Sequence, residues 1–76
     1  GSQVSLYPNP VADYFTLGFK TSKVEIYSVT GQLVKTFNTN GNTDYQFSVS
    51  SLASGLYLVK TFDEYNKVRV VKFIKN

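Results

Sequence analysis

The residue types that most often carry catalysis are scarce in this sequence. His and Cys are both absent, which excludes thiol nucleophiles, histidine general bases and the usual zinc sites. Asp63 and Glu64 form the single adjacent pair of carboxylates. Calcium needs about six to eight oxygen ligands and glycoside hydrolysis needs two carboxylates across a cleft, so we interpret this pair as solvated loop charges. We expect no enzymatic activity, no metal site and no cofactor.

The basic residues are unevenly distributed along the chain. Residues 67–76 hold four cations and no acid, whereas the rest of the chain holds four lysines and five acids. The four cations are Lys67, Arg69, Lys72 and Lys75. Nucleic-acid binding requires a broader basic face, often with stacking aromatic rings. We therefore expect no nucleic-acid partner.

The six tyrosines could form a platform that stacks against sugar rings. Trp is absent, and aromatic residues that alternate along strands usually belong to a core. A core role is therefore the simpler interpretation. A carbohydrate-binding or adhesive accessory domain of a surface protein remains the alternative function.

Length and composition describe the scaffold that must position these residues. A chain of 76 residues and 8.5 kDa forms one small domain, which should expose about 4,700 Å² when folded. Val, Thr and Ile make up about a quarter of the sequence, which favours strands.

No run approaches the ~20 apolar residues that span a bilayer, so we expect no direct membrane insertion. Gly1-Ser2 is typical of a cloning scar, and we take residues 3–76 as one domain of a longer natural chain.

Seven short segments of alternating apolar and polar residues follow one another along the chain. They cover residues 4–7, 14–19, 23–28, 33–38, 44–49, 56–62 and 68–74. Gly31 and Asn40-Gly41 are turn signals between them. This spacing predicts an all-β fold of seven antiparallel strands, arranged as a β-sandwich or a small barrel. The last two segments are apolar on both faces, so they either lie centrally or leave an apolar face for a partner.

The segment from Leu52 to Tyr57 has the pattern of a tyrosine corner. In immunoglobulin-like sandwiches, a tyrosine at the start of a strand bonds through its hydroxyl to the backbone a few residues upstream. Gly55 would allow the chain to turn, and Tyr57 would fix the turn. An ordinary core tyrosine is the other interpretation, and both roles are structural.

Three blocks in a fixed order carry a resemblance to a known family. They are Tyr7-Pro8-Asn9-Pro10, residues 24–34 (VEIYSVTGQLV), and residues 52–60 (LASGLYLVK) leading to the lysine-rich end 71–75 (VKFIK). In this order they resemble the type A C-terminal sorting domain of the Bacteroidetes type IX (Por) secretion system. The resemblance extends from about Ser5 to Asn76. Ser28 stands where the family usually has Asp, which we interpret as an exchange of turn-capping residues.

The resemblance implies a secretion signal with a seven-stranded immunoglobulin-like fold. Such domains follow secreted cargo that crosses the inner membrane by an N-terminal signal peptide, and the folded domain then directs the cargo through the outer-membrane translocon. A sortase-like protease commonly removes the domain and links the cargo to surface lipopolysaccharide. The expected partners are the type IX translocon, the sortase-like machinery and an upstream cargo domain. The expected location is the periplasm in transit, then the cell surface or the medium.

The terminal strand is the first candidate for the surface that this machinery reads. Its candidate residues are Lys72, Phe73, Ile74 and Lys75. If the strand lies at a sheet edge, its unpaired backbone groups could extend a partner's sheet, with Lys72 and Lys75 steering the encounter. Lysines also protect sheet edges from aggregation, and this interpretation is equally open.

Two further sets of residues complete the candidates. Pro8, Asn9 and Pro10 are equally consistent with a structural role and with recognition. For Gly31, Gly55 and Tyr57 we favour maintenance of the fold. A structural immunoglobulin-like spacer is the remaining functional hypothesis, and it would need no recognition surface.

Overall fold

A computed structural model describes residues 6–39 and 45–76, which form two antiparallel sheets without any helix. One sheet contains, in spatial order, β1 (Leu6–Tyr7), β2 (Tyr14–Leu17) and β5 (Gln46–Ser48). The other contains, in spatial order, β4 (Leu33–Asn38), β3 (Lys23–Ser28), β6 (Gly55–Phe62) and β7 (Val68–Lys75). The predicted seven-stranded immunoglobulin-like sandwich is confirmed. Across these residues there is no helix long and apolar enough to cross a membrane.

The strand bounds agree with the predicted segments to within a few residues. β3 and β4 have the predicted bounds, while β6 and β7 each gain one residue, Gly55 and Lys75. β2 is shorter than predicted, because the chain bends at Gly18 and Phe19 leaves the ladder. The predicted Asn40-Gly41 turn and the predicted strand residues 4, 5 and 44 lie outside the described residues.

The hydrophobic core fills the space between the two sheets. Phe15 of β2 and Phe47 of β5 stack with ring centroids 5.0 Å apart. Phe73 of β7 reaches across from the other sheet, and its ring centroid lies 5.2 Å from that of Phe15. The folded chain exposes 4722 Å², close to the value of about 4,700 Å² expected from its mass.

The positions of β6 and β7 resolve the question left open by their two apolar faces. β6 lies inside the four-stranded sheet and β7 forms its edge. β6 turns Tyr57 and Val59 into the core, and β7 turns Phe73 inward. The outward residues Leu56 and Ile74 are directly paired across the two strands and both are exposed. The four-stranded sheet therefore has a partly apolar outer face that ends at a sheet edge.

The predicted tyrosine corner is present. The hydroxyl of Tyr57 donates a hydrogen bond to the backbone carbonyl of Ala53 at 2.7 Å. Its ring stacks on Phe73, with centroids 5.4 Å apart and planes inclined by 19°. Gly55 has a φ of +151° at the start of β6, a conformation that favours glycine. The hydrogen bond of the corner thus fixes the start of β6, and the Tyr57 ring packs against Phe73 of β7.

The turn between β3 and β4 depends on Gly31 and Ser28. Gly31 has a φ of +89°, and its N–H donates to the carbonyl of Ser28 at 2.9 Å. The Ser28 hydroxyl accepts a hydrogen bond from the backbone N–H of Gln32 at 3.3 Å. Ser28 therefore makes the local backbone contact expected of a turn-capping residue.

Candidate functional site

The candidate site is the outer edge of β7. β7 pairs with β6 along its whole length in one continuous antiparallel register, and the described residues place no further strand beyond it. An edge strand directs half of its backbone N–H and C=O groups away from the sheet. What those groups contact decides what the edge can bind.

Residues 8–11, which we call the closing segment, cover one end of this edge. The Asn9 side-chain oxygen Oδ1 accepts a hydrogen bond from the backbone N–H of Ile74 at 3.0 Å. The Val11 N–H donates to the Ile74 carbonyl at 2.7 Å, and the Val11 carbonyl accepts from the Asn76 N–H at 2.8 Å. Val11 also forms an isolated parallel bridge with Lys75. The closing segment therefore behaves as a very short added strand.

Among residues 6–39 and 45–76, none pairs with the rest of this edge. Because Ile74 directs its N–H and C=O away from β6, the alternation of an antiparallel strand directs those of Val68, Val70 and Lys72 the same way. Within the described part of the chain, these outward groups have no hydrogen-bond partner. We call Val68–Lys72 the open stretch.

The two lysines expected to steer a partner lie on opposite faces of β7. The Lys72 side chain is exposed on the outer face. Lys75 points toward the core side, is only 8% exposed, and donates from Nζ to the backbone oxygen of Asn76 at 2.8 Å. The two residues therefore cannot attract a partner from one common face, and Lys72 is the one that reaches solvent.

Phe73 and Ile74 likewise lie on opposite faces of β7. Phe73 is fully buried beneath Tyr57, whereas Ile74 is half exposed beside Leu56. On the folded domain, a partner can thus contact the side chains of Lys72 and Ile74. Phe73 and Lys75 instead hold the strand against the core.

Apolar and basic side chains share the outer face next to the open stretch. Val68 and Val70 are 43% and 60% exposed. On the neighbouring strands, the Phe62 ring lies between two ammonium groups, with Nζ of Lys23 at 5.1 Å and Nζ of Lys60 at 5.5 Å from its centroid. Scattered exposed apolar residues are ordinary on protein surfaces. A row of them beside an unpaired sheet edge is a surface suited to a partner.

Among the described residues, one carboxylate lies on this face, and it is already engaged in a hydrogen bond and an ion pair. Glu25 accepts a hydrogen bond from the Tyr27 hydroxyl at 2.7 Å and forms an ion pair with Lys23 at 3.3 Å. The hydrogen bond from Tyr27, with help from Lys23 and Lys60, holds the pKa of Glu25 below its usual 4.5 despite partial desolvation. The same contact raises the pKa of Tyr27. Lys60 and Lys72 have no carboxylate within ion-pair distance among the described residues.

The adjacent carboxylates Asp63 and Glu64 lie in the loop between β6 and β7. Asp63 Oδ1 accepts hydrogen bonds from the backbone N–H groups of Tyr65 and Lys67, both at 2.8 Å, so its role is to shape the loop. Both acids line a cleft of about 390 Å³ together with Arg69. Residues 6–39 and 45–76 contain no group of three or more acidic, His or Cys side chains placed to hold a metal ion.

The structure brings the first and last sequence motifs together. Pro8, Asn9 and Pro10 belong to the closing segment, and both peptide bonds that precede the prolines are cis. Sequence reasoning missed Val11, which is fully buried and supplies two of the three hydrogen bonds to the end of β7. The sequence signal for this role is that Val11 is an apolar residue directly after Pro8-Asn9-Pro10, a motif that otherwise resembles a plain turn.

Comparison with known proteins identifies the family of this chain. Residues 5–76 match the family model of the secretion system C-terminal sorting domain. The chain is similar to an ulvan lyase of Nonlabens ulvanivorans, with 32% identity over 78 residues, covering 99% of this chain and 15% of that protein. It is also similar to an endo-acting ulvan lyase of Formosa agariphila, with 33% identity over 78 residues, covering 93% of this chain and 15% of that protein. The chain thus spans about 15% of the length of these relatives.

Proposed function

Since the chain belongs to the family of type IX secretion system C-terminal sorting domains, we propose that it is the signal that directs an attached cargo across the outer membrane through the type IX translocon. A signal that serves unrelated cargoes must be recognised by features that do not depend on the cargo. Those features must lie within the domain itself, on its surface and in a fixed arrangement.

The junction between the closing segment and the end of β7 is the observation that carries this proposal. Asn9 and Val11 hold Ile74 and Asn76 by three hydrogen bonds, so residues from both ends of the described chain form one surface. This junction exists only when the sandwich is folded, because β7 also supplies Phe73 to the core. A receptor that reads it would distinguish a folded domain from an unfolded one.

The finer steps of the pathway follow from the same proposal. The cargo precedes this domain in the same chain, passes through the periplasm and reaches the cell surface or the medium. A sortase-like protease removes the domain upstream of the closing segment and attaches the cargo to the surface. The names of the two relatives support a lyase as the class of cargo.

Export of a reporter tests the sorting function directly. Residues 3–76 are fused to the C-terminus of a periplasmic reporter in a type IX-competent host, and the reporter is measured in periplasm, surface fraction and medium. We expect the reporter to leave the periplasm in this host and to remain there in a matched host without a functional translocon. A reporter that stays periplasmic in both hosts contradicts the proposal.

A terminal deletion tests whether the end of β7 is needed. Removal of residues 74–76 eliminates all three hydrogen bonds to the closing segment, and we expect it to block export. Circular dichroism and gel filtration of the isolated variant establish whether it still forms a soluble β domain. Normal export of the deletion variant would exclude the end of β7 and its junction with the closing segment from recognition.

A carbohydrate-binding domain is the second candidate, and one observation favours it. Tyr7 and Tyr14 are 52% and 51% exposed, and they line a cleft of about 340 Å³ with Thr16 and Gln46. Aromatic walls with a few polar groups suit a small neutral ligand. Binding on a glycan array that is lost in Tyr14→Ala would support this function, and a blank array would contradict it.

A further inference from the structure

We propose that the open stretch, Val68–Lys72, is a docking site for an extended partner segment rich in β-branched and acidic residues, which adds to the four-stranded sheet beside β7. The inference rests on the proposed function and specifies the kind of partner that the terminal strand fits. It concerns a part of β7 that the closing segment leaves uncovered.

The backbone of β7 determines where such a segment can bind. Val68, Val70 and Lys72 direct their N–H and C=O groups outward without a partner in the described chain, whereas those of Ile74 are taken by Asn9 and Val11. In strand addition, main-chain hydrogen bonds supply affinity and alternate side chains supply specificity. A partner strand that continued past Lys72 would collide with the closing segment. The docking site therefore has a fixed end next to Lys72.

The side chains around the open stretch determine the chemistry of the partner. Val68 and Val70 are exposed on the outer face, and across the ladder they pair with Phe62 and Lys60. An added strand would cover these valines with its own β-branched side chains, which reduces the exposed apolar surface. An uncovered edge of this composition would otherwise tend to pair with other strands.

The positive charge of β7 favours a different protein as the partner over a second copy of this chain. Residues 67–76 carry four cations and no acid, so pairing two copies of β7 would bring like charges together. Arg69 stacks on Phe19, with its guanidinium carbon 5.0 Å from the ring centroid, and Lys72 is exposed on the opposite face. Acidic side chains on either face of an added strand would therefore meet a cation.

A peptide titration tests the site on the 76-residue chain. The probe is a short peptide of Val and Thr that carries Glu at the outer-face position beside Lys72 and at the inner-face position beside Arg69, and its control carries Lys at both of those positions. We expect the largest NMR shift changes and the greatest slowing of hydrogen exchange at the amides of Val70 and Lys72, with the control peptide binding at least roughly tenfold more weakly. Changes centred on another surface, equal binding of both peptides, or self-association of the chain instead of peptide binding would overturn the proposal.

A matched pair of variants separates backbone pairing from side-chain contact. Val70→Pro removes an outward N–H that makes no bond to β6, a position where an edge strand tolerates proline. Val70→Thr retains that N–H and the β-branched shape. We expect Val70→Pro to bind the acidic peptide roughly tenfold more weakly than Val70→Thr. Equal affinities overturn the proposal, and Lys72→Glu, which should also weaken binding, provides the same test without a proline.

The export assay keeps this inference distinct from the proposed function. If the unmodified domain does not export the reporter, the proposed function fails, whatever the peptide titration gives. If the unmodified domain exports the reporter and Lys72→Glu and Val70→Pro do so equally well while remaining folded, the docking site is overturned and the sorting function stands. We expect both variants to reduce export several-fold relative to Val70→Thr.

Discussion

The side-chain oxygen of Asn9 accepts a hydrogen bond from the backbone N–H of Ile74 at 3.0 Å, across 65 positions of the sequence. A side chain here occupies the place that the carbonyl of a neighbouring strand would take. Pro8 and Pro10 on either side have no backbone N–H and retain only their carbonyl acceptors, and the acceptor for the Ile74 N–H is the Asn9 side chain. This relationship gives a specific physical role to a motif that the sequence left equally open to structure and recognition.

Replacement of Asn9 tests that role. Asn9→Ala removes the acceptor, and we expect it to cost about 1 kcal/mol of unfolding free energy and to accelerate hydrogen exchange at the Ile74 amide. Asn9→Asp keeps an acceptor oxygen and should stay close to the unmodified chain. Urea unfolding and amide exchange measure both effects. Unchanged exchange at Ile74 in Asn9→Ala would show that the bond contributes nothing in solution.

The tyrosine corner makes a second prediction. Tyr57→Phe leaves the carbonyl of Ala53 without its 2.7 Å donor while preserving the stack on Phe73, so we expect a loss of about 1 kcal/mol. Tyr65→Phe is the matched control, because Tyr65 is 83% exposed and should be neutral. Thermal melting compares the two. Equal melting temperatures for Tyr57→Phe and the unmodified chain would reject the hydroxyl as a source of stability.

The turn glycine provides a third prediction. At Gly31 a new Cβ would meet nothing within 4 Å, but φ is +89°. The cost of Gly31→Ala is therefore conformational, and we expect it to be about 1–2 kcal/mol. Asn tolerates such backbone conformations better, so Gly31→Asn should cost less than Gly31→Ala. Chemical denaturation ranks the two variants, and the opposite order would refute the conformational explanation.

The Glu25–Tyr27 contact makes a fourth prediction, which concerns pH. The pKa of Glu25 is lowered in the folded state, so its stabilising effect is present above the usual value of 4.5 and is lost as the pH falls through the lower folded pKa. Tyr27→Phe removes the first cause of that shift. We expect the Glu25 carboxyl to titrate at higher pH in this variant and the stability of the variant to depend less on acid.

NMR titration of the Glu25 carboxyl in both chains measures this difference. At the alkaline end the raised pKa of Tyr27 acts in the opposite sense, since its contribution is present at neutral pH and is lost as the pH rises through the folded pKa. An identical titration of Glu25 in the two chains would remove Tyr27 as the cause.

Local patterns in the sequence were sufficient for much of this fold. β3 and β4 alternate clearly and end at turn residues, so their bounds follow from periodicity alone. The corner at Tyr57 is also a local signal, since the donor and acceptor are four residues apart. β2 ends early at the bend of Gly18 and Phe19, and the Phe19 ring then lies against Arg69, a contact between distant residues that alternation does not encode.

The position of the closing segment and the orientation of Lys75 depend on contacts between residues that are far apart in the sequence. The bridge between Val11 and Lys75 joins opposite ends of the described chain, and nothing within either segment identifies its partner. Lys75 has the charge of a surface residue, yet its aliphatic stem lies against the core while Nζ reaches a backbone oxygen. Predicting these features requires the sheet order, which places β7 at an edge with a free end to cover.

The position of Phe73 also bears on how the domain is made. Phe73 stacks beneath Tyr57 and touches Phe15 in the opposite sheet, so the core stays incomplete until β7 has been synthesised and has paired with β6. A chain that lacked β7 would have neither this core contact nor the junction at Asn9. Formation of the junction therefore reports that β7 has been made and folded.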